Sequence, residues 1–147
     1  MKHMSLSIFI LLMIAALQLS ACAPASPTEQ ETKPVHLEPI AGTDLNNVIL
    51  TADAAKRLDL QTVAVQEASI GGAQRIVIPY AAVLYEANGN TWVYVNIKPL
   101  TFVRQPIVVD YIDGDQAILS KGPAADAIVV TVGAAELYGS ESEFEEE

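Results

Sequence analysis

The sequence is poor in the residues that bind soft metals and in those that act as catalytic bases. One cysteine, Cys22, occurs in 147 residues, so no intramolecular disulfide can form. All three methionines lie upstream of Cys22, and the only histidine downstream of it is His36. Soft metals need Cys, Met or His ligands, and a nucleophilic serine or cysteine needs a nearby base. We therefore expect no metal site, no cofactor and no enzymatic activity.

Basic residues are scarce as well. Eight Lys and Arg side chains oppose eighteen Asp and Glu side chains, which gives a formal net charge of −10. Nucleic-acid phosphates are bound by clusters of Lys and Arg, so this balance argues against a nucleic-acid partner. It argues equally against electrostatic docking on anionic lipid, so any membrane attachment must have another cause.

The N-terminal segment indicates such a cause. An apolar run from Leu6 to Leu17 follows a basic start and is too short to span a bilayer, as in a signal peptide. Small residues stand directly before Cys22, which is the pattern of a bacterial lipobox. We expect residues 1–21 to be removed and the Cys22 thiol to carry a lipid that anchors the protein in the cell envelope, facing the periplasm. Ala23 in place of aspartate slightly favours the outer membrane; an unmodified cysteine after an ordinary signal peptide is the alternative.

Composition divides the rest of the chain into three parts. Residues 22–47 are rich in Pro, Ser, Thr and Glu and poor in apolar side chains, so we expect a disordered tether. Residues 48–138 form the predicted domain. Residues 139–147 contain five glutamates and one apolar side chain, Phe144, which predicts a solvated, disordered acidic tail.

The predicted domain consists mainly of short β-type runs separated by turn residues. The clearest turns are Gly71-Gly72, Asn88-Gly89-Asn90 and Asp113-Gly114-Asp115, of which the second predicts a hairpin. Pro106 interrupts the longest run, Phe102 to Ile112, and suggests a bulge there. We expect a small β-roll or barrel of about seven or eight short, largely antiparallel strands.

One short helix is predicted near the start of this domain. Thr51 is a suitable N-cap, and Asp53 suits the positive end of the helix dipole. Lys56 and Arg57 suit its last turn. The strand pattern resumes at Leu60, so the helix is limited to about two turns and the fold class is mostly β.

Three residues are candidates for docking a partner. Trp92 and Tyr94 lie on one face of a predicted strand, and Val93 and Val95 lie on the other. Either both faces are buried in a two-layer β domain, or the two aromatic rings form an exposed patch for docking. Arg104 is either a structural charge or a further docking contact.

Carboxylates are the remaining candidates for chemistry. Asp113 and Asp115 flank Gly114 and would suit calcium, but two carboxylates in a hairpin predict only a turn. Glu86 and Asp110 would suit an acid–base pair, but solvated charges on a strand face are far more common. Neither pattern changes the expectation of a protein without metal or catalysis.

A set of apolar and turn residues, taken in order, carries a resemblance to a known family. The set comprises Pro79, Ala82-Val83, Asn88-Gly89-Asn90, Val93-Tyr94-Val95, Arg104, Val108-Val109, Asp113-Gly114-Asp115, Gly122, Asp126, Val129-Val130 and Gly133. It resembles the membrane-proximal part of the periplasmic adaptor subunits of resistance-nodulation-division (RND) efflux pumps, also called membrane fusion proteins. Upstream, Leu50 to Thr62 is similar to the helix and "GI-T" strand that open heavy-metal-type adaptors, with Asp59 where the family often has Gly.

The spacing of the two pieces departs from the family. In a full adaptor the lipoyl domain, the α-helical hairpin and a β-barrel domain lie between them, but here only Gln66 to Gln74 separates them. A connection of that length cannot hold a hairpin that reaches an outer-membrane channel. The resemblance therefore implies a stand-alone membrane-proximal domain that contacts an RND transporter or another efflux subunit as an accessory protein. An envelope- or ligand-binding lipoprotein that keeps the adaptor fold without a pump is the alternative.

Overall fold

Ten strands and two helices make up residues 33–145, the part of the chain that the computed structural model describes. The strands are β1 Val35–Pro39, β2 Asn46–Leu50, β3 Gln61–Ala64, β4 Gln66–Ile70, β5 Ala73–Pro79, β6 Leu84–Tyr85, β7 Thr91–Lys98, β8 Thr101–Asp113, β9 Gln116–Lys121 and β10 Ile128–Val132. The helices are α1 Ala52–Arg57 and α2 Ala134–Glu145, and a 3₁₀ turn spans Tyr80–Ala82. The predicted signal peptide and Cys22 lie outside the described residues.

All strand pairs in this region are antiparallel, and the main path through the sheet is β3-β10-β7-β8-β9-β5-β4. β2 pairs with β8 and β1 pairs with β2, while β6 pairs with β7. Only Val65 separates β3 from β4, so one continuous stretch of chain supplies both ends of that path. Val65 is buried, and its amide donates to the Ala127 carbonyl at 2.8 Å. The sheet thus curls into a half-barrel, which confirms the predicted β-roll or barrel.

Apolar side chains pack on both faces of the curled sheet. The inner layer contains Val65, Ile78, Ala82, Val93, Val95, Ile107, Ala117, Leu119 and Val129. The outer layer contains Val35, Val48, Leu50, Ala54, Tyr94, Phe102, Val130, Ala134 and Leu137, from β1, β2, both helices and the outer face of the sheet. Adjacent residues of β7 and of β10 divide between the two layers because successive side chains of a strand point to opposite faces.

The predicted short helix is confirmed, with capping at both ends. The Thr51 hydroxyl accepts a hydrogen bond from the Ala54 amide at 3.1 Å, as an N-cap does. At the other end the Leu60 amide donates to the Ala55 carbonyl and the Asp59 amide to the Lys56 carbonyl, which is a Schellman motif. Asp59 has a φ of +48°, so it occupies the left-handed position that helices usually fill with glycine.

The three predicted turns join β4 to β5, β6 to β7 and β8 to β9. The Asn88-Gly89-Asn90 turn makes the hairpin expected of it: Gly89 has a φ of +88°, and the Asn90 amide donates to the Asn88 side chain at 2.9 Å. The bulge suggested at Pro106 is misplaced, because Pro106 pairs in regular register with Trp92. The register shifts of β8 lie further on, between Val108 and Tyr111, where the strand changes partner from β7 to β9.

Two boundaries of the predicted domain are wrong. Val35–Pro39, assigned to the tether, forms β1 and pairs along its whole length with β2, with Val35 buried. The tail from residue 139, predicted to be disordered, continues α2 as far as Glu145. Both segments are too polar to order alone, and each is held by another element: the first by β2, which follows it after a short loop, and the second by the outer face of the sheet.

The strand count is also higher than expected, because β1 and β4 are additional strands. β4 occupies most of the short Gln66 to Gln74 connection and pairs with β5 from Gln66↔Val77 to Ile70↔Ala73. It shows the alternation by which strands are recognised only at Ala68 and Ile70, and its other positions are polar and exposed at the edge of the sheet.

Candidate functional site

The three docking candidates lie side by side on β7 and β8. Tyr94 is opposite Arg104 in the register, and both are buried, with 0 % and 8 % of their surface exposed. The exposed aromatic patch is therefore wrong for Tyr94, and a free docking contact is wrong for Arg104. The alternative holds for this strand: Val93 and Val95 face the inner layer while Tyr94 belongs to the outer one.

Arg104 is the centre of a buried cluster that joins the sheet to α2. Its Nε lies 2.9 Å from Glu141 Oε2, and its Nη1 donates to Glu86 Oε1 at 2.9 Å. The guanidinium carbon also lies over two aromatic rings, 5.4 Å from the centre of Trp92 and 5.3 Å from that of Tyr138. We call Glu86, Trp92, Tyr94, Arg104, Tyr138 and Glu141 the Arg104 cluster.

The Tyr94 hydroxyl completes the contact with α2. It donates a hydrogen bond to Glu141 Oε2 at 2.5 Å, and Glu141 is only 1 % exposed. Burial, the hydrogen bond to Glu141 and the charge of that carboxylate raise the pKa of Tyr94 far above its ordinary value. Tyr94 therefore remains a neutral donor, and Glu141 Oε2 accepts its hydrogen bond while pairing with the charged Arg104.

Glu86 holds the other side of the guanidinium at the edge of the cluster. Burial alone would raise the pKa of Glu86, but the Trp92 indole N–H, which falls short of full hydrogen-bond geometry, lowers it. The side-chain amides of Asn88 and Asn90 and the charge of Arg104 lower it further, and the net shift is downward. The hairpin turn thus helps to keep Glu86, the second acidic partner of Arg104, ionised.

The Arg104 cluster is arranged to hold a helix against the sheet. α2 presents Ala134, Leu137 and Glu141 to the sheet at positions i, i+3 and i+7, which is one face of a helix. Glu141 is the functional residue that sequence reasoning missed. The i, i+3, i+7 spacing would have shown it, had the glutamate-rich composition not favoured a solvated tail.

A surface groove of about 630 Å³ lies next to the cluster. The β6–β7 hairpin forms one side through Tyr85, Asn90 and Trp92, and β8 forms the other from Pro106 to Val109. Trp92 is thus shared between the two: its ring lies under Arg104 and also lines the groove. Of the three original candidates it is the one that lines a surface feature.

Exposed apolar side chains occur in this groove and in elements next to it: Tyr85 and Val108 line it. Seven large apolar side chains in residues 33–145 are exposed, and five of them belong to the 3₁₀ turn, β6 and the second half of β8. These five, which we call the exposed apolar surface, are Tyr80, Tyr85, Val108, Tyr111 and Ile112, 39–56 % exposed. The rings of Tyr80 and Tyr85 meet edge to face with their centres 6.4 Å apart. Scattered apolar residues are ordinary on a surface, but a group beside a groove marks a candidate contact site.

Neither a metal centre nor a membrane-spanning helix appears in the described region. Within residues 33–145 no group of three His, Cys, Asp or Glu side chains is placed to hold a metal ion. No helix in the same range is both long and apolar enough to cross a membrane. Asp113 and Asp115 stand on either side of the β8–β9 turn, as their sequence pattern predicts.

The chain matches no protein-family model, no curated protein and no solved structure.

Proposed function

We propose that this protein is a lipid-anchored, non-enzymatic accessory protein of the bacterial envelope that acts by contact with an RND-type transport system. The observation that carries the proposal is the exposed apolar surface, from which Tyr85 and Val108 line the groove, in an otherwise acidic domain. Such a surface is suited to a protein partner, because contact with one would remove it from water.

The resemblance to adaptor subunits supplies the class of partner. It covers residues 48–137, most of the described domain. Asp59 adds support, because its positive φ is the conformation expected where the family often has glycine.

The accessory role follows from what joins the two resembling pieces. Between β3 and β5 the chain forms only β4 and a two-glycine turn. No helical hairpin long enough to reach a channel lies within residues 33–145, so we assign the protein a contact surface and not a conduit.

Capture from membranes tests the function. The full chain with a C-terminal tag, cross-linked in cells and purified in detergent, should recover an RND transporter or channel subunit identified by mass spectrometry. The matched control is Leu137→Asp, which places a charge in the outer layer and should abolish recovery by unfolding the domain. Repeated recovery of only abundant lipoproteins, at the level of an unrelated tagged lipoprotein, would contradict the proposal.

The anchor has its own test. Cys22→Ser removes the thiol that a lipid would occupy, so the protein should leave the membrane fraction and appear in the soluble fraction of the periplasm. Unchanged membrane association of Cys22→Ser would show that the protein is held by something other than a lipid on this residue.

A further inference from the structure

The second half of β8 has strand neighbours on one side only. The Ile107 carbonyl accepts a hydrogen bond from the Thr91 hydroxyl of β7, and the next carbonyl, that of Val108, accepts one from the Ser120 hydroxyl of β9. Successive carbonyls of an extended strand point in opposite directions, so β7 and β9 lie on opposite sides of β8. The pairing with β7 ends at Thr91↔Ile107 and that with β9 begins at Val108↔Lys121.

Val108–Asp113 therefore has an unpaired edge on the side of β8 where the pairing with β7 has ended. No described residue pairs with the backbone of this stretch there, since its strand pairs are all with β9. Unpaired backbone groups in a row are a template for another extended chain. We call this side of Val108–Asp113 the β8 edge.

The surroundings of the β8 edge suit an added strand. The groove runs into it at Val108 and Val109, bounded on the far side by Tyr85 and Trp92 of the hairpin. Strand addition draws affinity from main-chain hydrogen bonds and specificity from pockets for alternate side chains. The β8 edge offers the main-chain hydrogen bonds, and the groove beside it offers a place for apolar side chains of the added segment.

Charge decides between the possible occupants. Asp113 and Asp115 at the end of the edge form no ion pair with any described residue, while Asp110 is paired with Arg75 at 3.0 Å. Two copies of the protein joined at this edge would each bring a net charge of −10 to the contact. A large net charge of one sign opposes self-association. A second copy is therefore disfavoured, and a basic segment is favoured.

We propose that the β8 edge is a strand-addition site for an extended partner segment in which apolar side chains alternate with Lys or Arg. The inference rests on the proposed function, since it names the surface by which the protein would make its contact. It is tested first with a defined peptide, so that it can fail independently of the transport partner.

The probe is the capped peptide KVTVKVTVK, titrated into the full chain purified in detergent. Trp92 is the only tryptophan of the sequence and lines the groove, so its fluorescence should change saturably with added peptide. Hydrogen exchange should slow in residues 108–113. The peptides EVTVEVTVE and KVPVKVPVK serve as controls: the first reverses the charge, and the second removes amide donors that pairing needs. Neither should bind.

Matched variants locate the site. Val108→Lys with Tyr111→Lys places two positive charges on the edge and should weaken KVTVKVTVK at least about tenfold. Ile97→Lys is the control, because Ile97 is as exposed as these residues, at 46 %, but lies at the opposite end of β7. It should leave the affinity within about twofold of the unaltered protein. Circular dichroism checks that all variants are folded.

Three results would overturn the site. They are no fluorescence change with KVTVKVTVK, equal weakening by Ile97→Lys, or a dimer of the purified protein that Val108→Lys with Tyr111→Lys dissociates. In membrane capture, the same double variant should lose the transport subunit while Ile97→Lys keeps it. If both variants recover the subunit equally, the function stands and the β8 edge is not its surface. If the peptide binds but neither the unaltered protein nor Ile97→Lys recovers a transport subunit, the site stands and the function fails.

Discussion

The two layers of the sheet are held together by different kinds of interaction. The inner layer consists of aliphatic side chains such as Ile78 and Leu119, which pack without directional bonds. The outer layer has an apolar part as well, but α2 is additionally fastened by the Arg104 cluster, where one buried carboxylate meets a cation and a hydroxyl. β7, β8 and β10 contribute to both layers, so in these strands the difference arises from the identity of residues that point to opposite faces.

The comparison suggests why α2 needs the cluster. Gly139 and two serines lower its intrinsic helix propensity, and its last turn carries glutamates and no basic residue. Negative charges at the C-terminal end of a helix oppose the helix dipole. Packing of Leu137 fixes the first turns, and Glu141 fixes the remainder through Arg104 and Tyr94. Directional bonds thus place a helix that its own sequence would not maintain.

The largest expected effect comes from removing the cation. Arg104→Met leaves the Glu141 carboxylate buried without its charge partner and should lower the free energy of unfolding by about 3–5 kcal/mol. Urea denaturation measures it. Arg104→Met with Glu141→Leu should regain most of the loss, because an apolar pair replaces the ionic one.

The control is Arg75→Met, which breaks the half-exposed pair with Asp110 and should cost less than about 1 kcal/mol. If the two arginine variants lost similar amounts of unfolding free energy, burial would add nothing to the stabilisation by the Arg104 pair. The proposed difference between the two layers would then be wrong.

A smaller effect is expected where α2 begins. Gly133 has a φ of +84°, and a Cβ at this position would collide with the Leu60 side chain and stand 3.0 Å from the Leu58 carbonyl oxygen. Gly133→Ala should therefore lower the free energy of unfolding by about 2–3 kcal/mol. Gly139→Ala within α2 meets nothing within 4 Å and should raise it by about 0.5–1 kcal/mol. Thermal unfolding followed by circular dichroism would reveal the opposite signs; no change for Gly139→Ala would show that α2 is not part of the cooperative fold.

The smallest effect concerns pH. The folded state lowers the pKa of Glu86 from its ordinary value of 4.5, so the folded protein binds fewer protons than the unfolded chain in this range. Stability from Glu86 is thus present above about pH 4.5 and is lost as the pH falls through the lower folded value. Urea midpoints between pH 7 and pH 3 should fall more steeply for the unaltered protein than for Glu86→Gln. If the urea midpoints of the two proteins fell in parallel with pH, the ion pair of Arg104 with Glu86 would contribute nothing to stability, and only the pair with Glu141 would.

Local sequence patterns predicted much of the fold, because caps and turns are caused by contacts between residues close in the chain. The N-cap of α1 is a contact between Thr51 and Ala54, and the Asn88-Gly89-Asn90 hairpin depends on residues that tolerate positive φ. The candidate site was predicted only in part from the sequence. Trp92, Tyr94 and Arg104 do come together, but their burial depends on α2, whose glutamates had indicated a solvated tail.

The sequence by itself determined the β-rich class, the turns, the first helix and the acidic character, since these follow from residue type and spacing. The tertiary structure decided the rest: that β1 and β4 are strands, that Glu141 is buried, and that Val108–Asp113 is left open on one side. β1 and β4 depend on pairing with the strands that follow them, β2 and β5, while Glu141 depends on Tyr94 and Arg104, which lie far from it in the chain. The open side of Val108–Asp113 depends on where β7 ends. A polar strand exists only when another strand accepts its hydrogen bonds, and a carboxylate is buried only where a cation is already in place.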